Sequence, residues 1–253
     1  GIKGPIGLQF ISKPKLEQKY YTTQKTDPLI ESKNEQAPGI IYKYQGKINR
    51  QGQVEYYGRV LWTITRFCAT YCRFCTRGRF VGIQANQNRQ TGEVLTQRPY
   101  LTDNDIQKTV TFIQKHPEIN EVILSGGDPL VVPENYFQTI IGALTNLQNS
   151  HQLDFIRIHT RAPITNPFIL QPWHYRIISQ IHNPYIVLHI NHPAELTPEV
   201  LEVIQKLKQT GAKLLSQSVL LKGVNDNVPT LQKLFLELAK NGIQPYYLHQ
   251  NDP

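Results

Sequence analysis

From residue 59 onward, short apolar runs alternate with longer stretches in which apolar positions recur every three or four residues. The runs at 60–65, 121–125, 155–160, 185–191, 213–219 and 244–248 have the length of strands and are bounded by turn-forming residues. The stretches between them carry helix punctuation. Thr197, Pro198 and Glu199 supply a cap, a proline at the first helical position and an early acid, and Thr210-Gly211 ends that helix. Thr102-Asp103 and Pro133-Glu134 open two more, and a fourth runs from near Asn227 to Asn241-Gly242. Six strands alternating with helices predict parallel βα units closed wholly or partly into a barrel, a partial (β/α)6 TIM-like α/β fold. A doubly wound open sheet is the alternative.

Residues 1–58 follow a different pattern. They are polar, with turn signals at Asp27-Pro28 and Pro38-Gly39, and no long helical period runs through them. Within them YKYQGKINRQGQVEYYGR, with turn signals at Gly46 and Gly52, predicts a small hairpin. We therefore expect an N-terminal accessory segment over 1–58 and a barrel over 59–253.

Composition narrows the class. A chain of 253 residues, 40% hydrophobic and 18% charged, can bury one large core or a core plus an accessory segment. No run approaches the roughly 18 apolar residues of a membrane span, and the opening GIKGPIGLQF lacks the apolar stretch of a secretion signal, so a cytoplasmic protein is expected. The 27 Lys and Arg against 19 Asp and Glu give a net charge of +8, which favours phosphates, carboxylates, nucleic acid or an acidic protein as partners. The chain has no methionine and begins at Gly1, as a trimmed chain would.

Candidate chemistry gathers at the strand ends, which in a βα barrel share one face. All three cysteines, Cys68, Cys72 and Cys75, fall in RFCATYCRFCTRGR after the first strand. Ser125, Gly126, Gly127 and Asp128 follow the second strand, His159 and Arg161 the third, and His189, Asn191 and His192 the fourth. Gln217 lies on the fifth and Asp252 just past the sixth. An odd number of clustered thiols does not suit a disulfide framework. Structural zinc and iron–sulfur cubanes normally take four protein ligands, so three thiolates at C-x3-C-x2-C spacing leave one metal corner open to a ligand. The alternatives are a zinc site closed by a distant histidine such as His116, or three unreactive thiols.

The cysteine motif, with a Gly-Gly-acid motif after the second strand, resembles the radical S-adenosylmethionine enzymes. More narrowly, CRFCTRGRFVG, EVILSGGDPL, HINHPAEL, QSVLLKGVND and PYYLHQND resemble the lysine 2,3-aminomutase family. The resemblance implies that Cys68, Cys72 and Cys75 hold a [4Fe–4S] cluster whose open iron chelates S-adenosylmethionine. It places Ser125, Gly126, Gly127 and Asp128 at the methionine end of that cofactor, with the Asp128 carboxylate taking its ammonium, and His189 and Gln217 in contact with it. It gives Arg77 the substrate carboxylate, Asp252 the side-chain ammonium of lysine, and Arg59 a contact to pyridoxal phosphate. The implied activity moves the 2-amino group of lysine to carbon 3 through a 5′-deoxyadenosyl radical and pyridoxal phosphate. A reducing electron donor and a homo-oligomeric assembly are implied as well.

Three features depart from the family. The lysine that anchors pyridoxal phosphate lies downstream of the sixth strand in the family, and this chain ends at Pro253. A polar insertion occupies 82–101 where the family runs short, and the hairpin obscures whether Lys43, Tyr44 or Tyr56 adds phosphate contacts. CTRGRF resembles enzymes of free lysine, whereas EVILSGGDPL and YYLH resemble the branch acting on a lysine of a translation elongation factor. Two other classes remain: a cluster protein for electron transfer or sensing, and a zinc-stabilised nucleic-acid module.

Overall fold

The computed structural model describes residues 3–11, 29–78, 81–82, 85–87, 94–96 and 98–250. Asp252, Asp27-Pro28 and part of the 82–101 insertion lie outside the described residues. The chain opens with strands β1 (Glu35–Ala37), β2 (Ile40–Tyr44), β3 (Lys47–Ile48), β4 (Val54–Tyr56), β5 (Gly58–Thr65), β6 (Ala85–Gln87) and β7 (Val94–Thr96). Helix α1 (Asp103–Gln114) leads to β8 (Ile119–Gly126), and α2 (Glu134–Asn149) to β9 (Phe155–Thr160). Two short helices, α3 (Ala162–Thr165) and α4 (Pro172–Ile178), precede β10 (Tyr185–His189). Helix α5 (Pro198–Gln209), strand β11 (Lys213–Val219), helix α6 (Val228–Lys240) and strand β12 (Gln244–His249) complete the order.

The main sheet runs β1-β2-β5-β8-β9-β10-β11-β12, and its last six strands are parallel and sequential. A doubly wound sheet would reverse its strand order at a switch point. This one does not reverse. Curvature follows from one contact: Arg59 Nη1 at the start of β5 donates to the Tyr247 hydroxyl on β12 at 3.3 Å, although β5 and β12 end opposite sides of the parallel array. The sheet is therefore a partial barrel, open between β5 and β12, as the alternation of strands and helices predicts.

Side chains alternate across it. Val60, Trp62, Ile64, Val122, Leu124, Ile156, Ile158, Ile186 and Leu188 point outward into one core with the helices. The other face carries Arg59, Leu61 and Thr63 on β5, Glu121, Ile123 and Ser125 on β8, Arg157 and His159 on β9, and Val187 and His189 on β10. Of these only Leu61 and Ile123, with Ile41, form a small inner apolar cluster. The lumen is thus polar at both ends and apolar at its waist.

Helix starts match the sequence. Thr102 accepts from Asp105 N while Asp105 accepts from Thr102 N, a reciprocal capping box that opens α1. Thr197 and Asn227 cap α5 and α6. Strands β3 and β4 form an antiparallel hairpin, its turn held by Asn49 Oδ1, which accepts from Gln51 N and Gln53 N, and relaxed by Gly52 at φ 81°. Strands β1 and β2 add antiparallel to the outer edge of β5.

Candidate active site

The cysteine loop leaves the top of β5, and the end of β8 fixes its position. Gly127 N donates to Thr65 O at 2.7 Å, and Asp128 N to Phe67 O at 2.6 Å. A Cβ on Gly127 would lie 1.9 Å from Phe67 O, and one on Gly126, at φ +124°, 2.4 Å from Thr65 O. Only glycine permits this contact between two backbones. The glycine pair therefore serves the cysteine loop directly.

None of the three cysteines is in a disulfide; Cys68 and Cys72 are half-buried and Cys75 is exposed. Burial pushes the Cys68 thiol well above its ordinary range, with the Asp128 carboxylate adding to the rise. Burial also raises Cys72, but here the Arg161 guanidinium opposes it. Arg161 Nη1 donates to Cys72 Sγ at 3.0 Å. The same guanidinium donates through Nη2 to Glu195 Oε1 at 2.7 Å and to Gln9 Oε1 at 2.5 Å, and lies over the rings of Phe10 and Phe74.

Asp128, expected at the cofactor's ammonium, makes four hydrogen bonds within the fold. Its Oδ1 accepts from Leu130 N at 3.0 Å and Thr160 Oγ1 at 2.7 Å, and its Oδ2 from Arg161 N at 2.7 Å and Ala162 N at 2.8 Å. These four donors engage both carboxylate oxygens, which tie β8 to the turn after β9.

Below the cysteines, His159 and His189 point into the lumen. Neither Nε2 atom has a hydrogen-bond partner among the described residues, although both are buried. Burial, reinforced by Arg157, pushes His159 down to about 3. Burial, then Arg161, lowers His189 well below its ordinary value. Burial thus disfavours the charged form of both imidazoles. Gln217 Nε2 approaches His189 Nδ1 at 3.4 Å, and the Phe74 ring lies 5.2 Å from the His189 ring. His189 and Gln217 are thus brought together at the mouth as the sequence suggests.

Arg77 is at the same mouth, and its fork already holds a carboxylate. Its Nε donates to Glu31 Oε2 at 2.7 Å and its Nη2 to Glu31 Oε1 at 2.7 Å, while Nη1 reaches Ser125 Oγ at 3.2 Å. Lys43 Nζ donates to the same Glu31 at 2.6 Å. Although burial works against it, these two cations hold the Glu31 carboxyl below its usual range.

Arg59 is not brought to this mouth. It starts β5, some six residues and about 20 Å along the strand from the cysteine loop. Its Nε donates to Glu121 Oε2 at 2.6 Å, Glu121 also pairs with Arg157, and the Arg59 guanidinium lies over the Tyr44 ring. His116 is at the far end as well. Its Nδ1 is 2.7 Å from Phe112 O where α1 gives way to β8, so it cannot close a site on the cysteines. Sequence reasoning offered no sign of Gln9 or Glu31, which lie in segments without periodicity; Glu195 lay inside a recognised motif, but without a role.

The donor set fits a [4Fe–4S] cluster: three free thiols on one backbone-locked loop, with a cation beside one of them. No three His, Cys, Asp or Glu side chains among the described residues converge to grip a single ion. That is no bar to a cluster, in which each thiolate takes its own iron. An open parallel barrel with three thiols at its strand-end face defines an enzyme class that binds a cluster and a small cofactor together. The pattern of the Radical SAM superfamily matches residues 62–234, and the chain belongs to that superfamily. Membership implies a [4Fe–4S] cluster and S-adenosylmethionine.

Relatives sharpen this. The chain is 36% identical over 224 residues to an L-lysine 2,3-aminomutase of Buchnera aphidicola subsp. Baizongia pistaciae, covering 88% of this chain and 57% of that protein. It is 32% identical over 226 residues to the L-lysine 2,3-aminomutase of Fusobacterium nucleatum subsp. nucleatum, covering 89% of this chain and 47% of that one. The chain thus spans about half the length of these curated relatives. Among solved structures, native anSMEcpe with bound AdoMet superposes with a TM-score of 0.53 at 11% identity, over 76% of this chain and 50% of that one, a likeness of fold alone.

Proposed function

We propose that this chain is the radical-generating barrel of an aminomutase that moves the 2-amino group of lysine, free or within a protein, to carbon 3. The observation that carries it is the cysteine loop, locked by Gly126 and Gly127 over a lumen lined by Ser125, His159, His189 and Gln217. Similarity to lysine 2,3-aminomutases over most of the chain supports the substrate.

Cys68, Cys72 and Cys75 would hold the cluster, which when bound supplies the electron that cleaves S-adenosylmethionine to a radical able to abstract a substrate hydrogen. The remaining work belongs to the chain. The backbone of Ser125, Gly126 and Gly127 lines the cofactor's methionine end, and Asp128 braces that wall from behind. His189 and Gln217 offer neutral hydrogen-bonding groups at the mouth, suited to an uncharged ring. Arg77 grips the substrate carboxylate by a bidentate fork, once Glu31 has yielded it. The buried neutral walls keep water from a reactive species.

Pyridoxal phosphate belongs to the same proposal at a further remove. Arg59 is the permanent cation proposed for it, at the open seam between β5 and β12, and Asp252 is proposed for the lysine ammonium. An accessory segment over 1–58, a reducing electron donor, a cytoplasmic setting and a homo-oligomer complete the proposal. One observation favours a second reading, in which S-adenosylmethionine is cleaved but no amino group moves: Glu31 already fills the fork of Arg77.

The test is anaerobic reconstitution with iron and sulfide, then S-adenosylmethionine and dithionite, with 5′-deoxyadenosine and methionine measured against Cys72→Ala. Both products from the wild type and neither from the variant are expected; β-lysine on adding lysine and pyridoxal phosphate identifies the aminomutase. A cluster that forms without cleavage overturns the proposal.

A further inference from the structure

Arg161 donates to the Cys72 sulfur from a buried guanidinium, where Thr70 also bonds, and several groups of the fold aim it. Its backbone N is held by Asp128 Oδ2. Its Nη1 meets Cys72 Sγ at 3.0 Å, and its Nη2 is shared by Glu195 Oε1 and Gln9 Oε1. Glu195 is fixed in turn, its Oε2 accepting from Asn191 N at 2.7 Å and His192 N at 2.8 Å. Gln9 is fixed as well, its Oε1 also accepting from Asn191 Nδ2 at 2.9 Å. The guanidinium carbon lies over the rings of Phe10 and Phe74, at 4.7 and 5.1 Å from their centres. Arg161 is buried, with 7% of its surface exposed, and so is Glu195. A rigid, permanent cation with little water around it acts on a neighbouring sulfur far more strongly than a solvated one.

We propose that Arg161 is a positioning and tuning residue for the cluster: its N–H···S bond and charge raise the cluster's reduction potential, and Glu195 limits that rise. Hydrogen bonds to sulfur and local charge are two of the levers by which a protein sets the potential of an iron–sulfur centre. Reduction adds one negative charge to the cluster. A cation and a donor at Cys72 stabilise the reduced form more than the oxidised one, and a carboxylate beside that cation does the reverse. The signs of the two residues are therefore opposite, which simple disturbance of packing would not produce. Through Gln9 the N-terminal segment enters the same device. The inference rests on the three thiols holding a cluster and is independent of the substrate.

The experiment is an EPR-monitored redox titration of the anaerobically reconstituted protein, with iron and sulfide counted in each sample. Arg161→Gln is expected to make reduction at least tenfold less favourable, a fall of about 59 mV for a one-electron couple. Arg161→Lys, which keeps the charge and loses the fork, should fall less. Glu195→Gln, which frees the cation of its counter-charge, should rise. Potentials unchanged in all three variants overturn the proposal, as do shifts of one sign in Arg161→Gln and Glu195→Gln alike. Should Arg161→Gln take up no cluster, Arg161→Lys and Glu195→Gln decide between those outcomes. A wild type that takes up no cluster refutes the cluster assignment itself.

Discussion

The two ends of the barrel lumen are built from similar residues and organised in opposite ways. At the floor, Glu121 pairs with both Arg59 and Arg157, and the rings of Tyr44, Tyr185 and Tyr246 lie against those guanidiniums. Every charge there has a counter-charge or a ring. At the mouth, among the described residues, two buried imidazoles keep a nitrogen unmatched, and three thiols share a loop with no metal-like convergence of their own. Polar groups buried without partners cost free energy; among the described residues the floor sets Glu121 against Arg59 and Arg157, whereas the mouth leaves both imidazole nitrogens without a partner, a separation of a paired network from an unpaired one. The floor ties strands together through its ion pairs; the mouth gathers the cysteine loop and the two imidazoles.

The largest test of that separation is Glu121→Gln, which leaves two buried guanidiniums facing each other. It should cost about 3–5 kcal/mol by urea unfolding, yet leave iron uptake per folded molecule unchanged. Lost iron uptake in folded protein would join the two ends into one unit. Gly127→Ala probes the mouth, where the new Cβ would clash with Phe67 O. We expect a stability loss of about 1–3 kcal/mol together with lost cluster occupancy, read from absorbance and iron counts.

The pH dependence sharpens the comparison. Folded His159 stays neutral down to about 3, whereas the unfolded chain takes up its proton as pH falls through about 6.5. Stability is therefore lost as pH drops between those values, by up to about 1.4 kcal/mol per pH unit for such a group. Urea midpoints at pH 7 and pH 5 should differ less in His159→Gln than in the wild type; an equal difference would show that His159 is solvated. The smallest effect expected is for Glu31→Gln. Weakening its hold on Arg77 should tighten lysine binding severalfold, below the tenfold that about 1.4 kcal/mol represents, as measured by calorimetry on the reconstituted protein. Weaker binding would mean that Glu31 builds the substrate pocket.

Much of the floor plan was legible in sequence because local signals agree with the fold. The runs at 155–160 and 213–219 coincide with β9 and β11, and the caps at Thr102, Thr197 and Asn227 start the helices they announce. The short helices α3 and α4 carry too few turns to show a period and pass unnoticed. At the site, motif spacing singled out the cysteines and the glycine pair, whose backbones the structure joins, and the family resemblance pointed to His189 and Gln217, which lie side by side. Spacing could not reveal that three backbone N–H groups and the Thr160 hydroxyl donate to the Asp128 carboxylate, or that Arg59 lies at the floor. Nor could it pair Gln9 with Arg161 or Glu31 with Arg77, since these contacts join polar residues 152 and 46 positions apart. Such pairs leave no periodic trace.

The sequential strand order has a further consequence. Each inner parallel strand is hydrogen-bonded between its chain neighbours, β5 is covered by β2, and β12 is bonded, among the described strands, to β11 alone. Resistance to local opening should then be graded around the sheet, with amide protons of β8, β9 and β10 exchanging last and those of β12 first. Peeling back β12 breaks one ladder and the Arg59–Tyr247 contact while leaving the cysteine loop and its glycine lock intact. The lumen can thus be breached from the side, along a single seam, without unfolding the end that carries the cysteine loop.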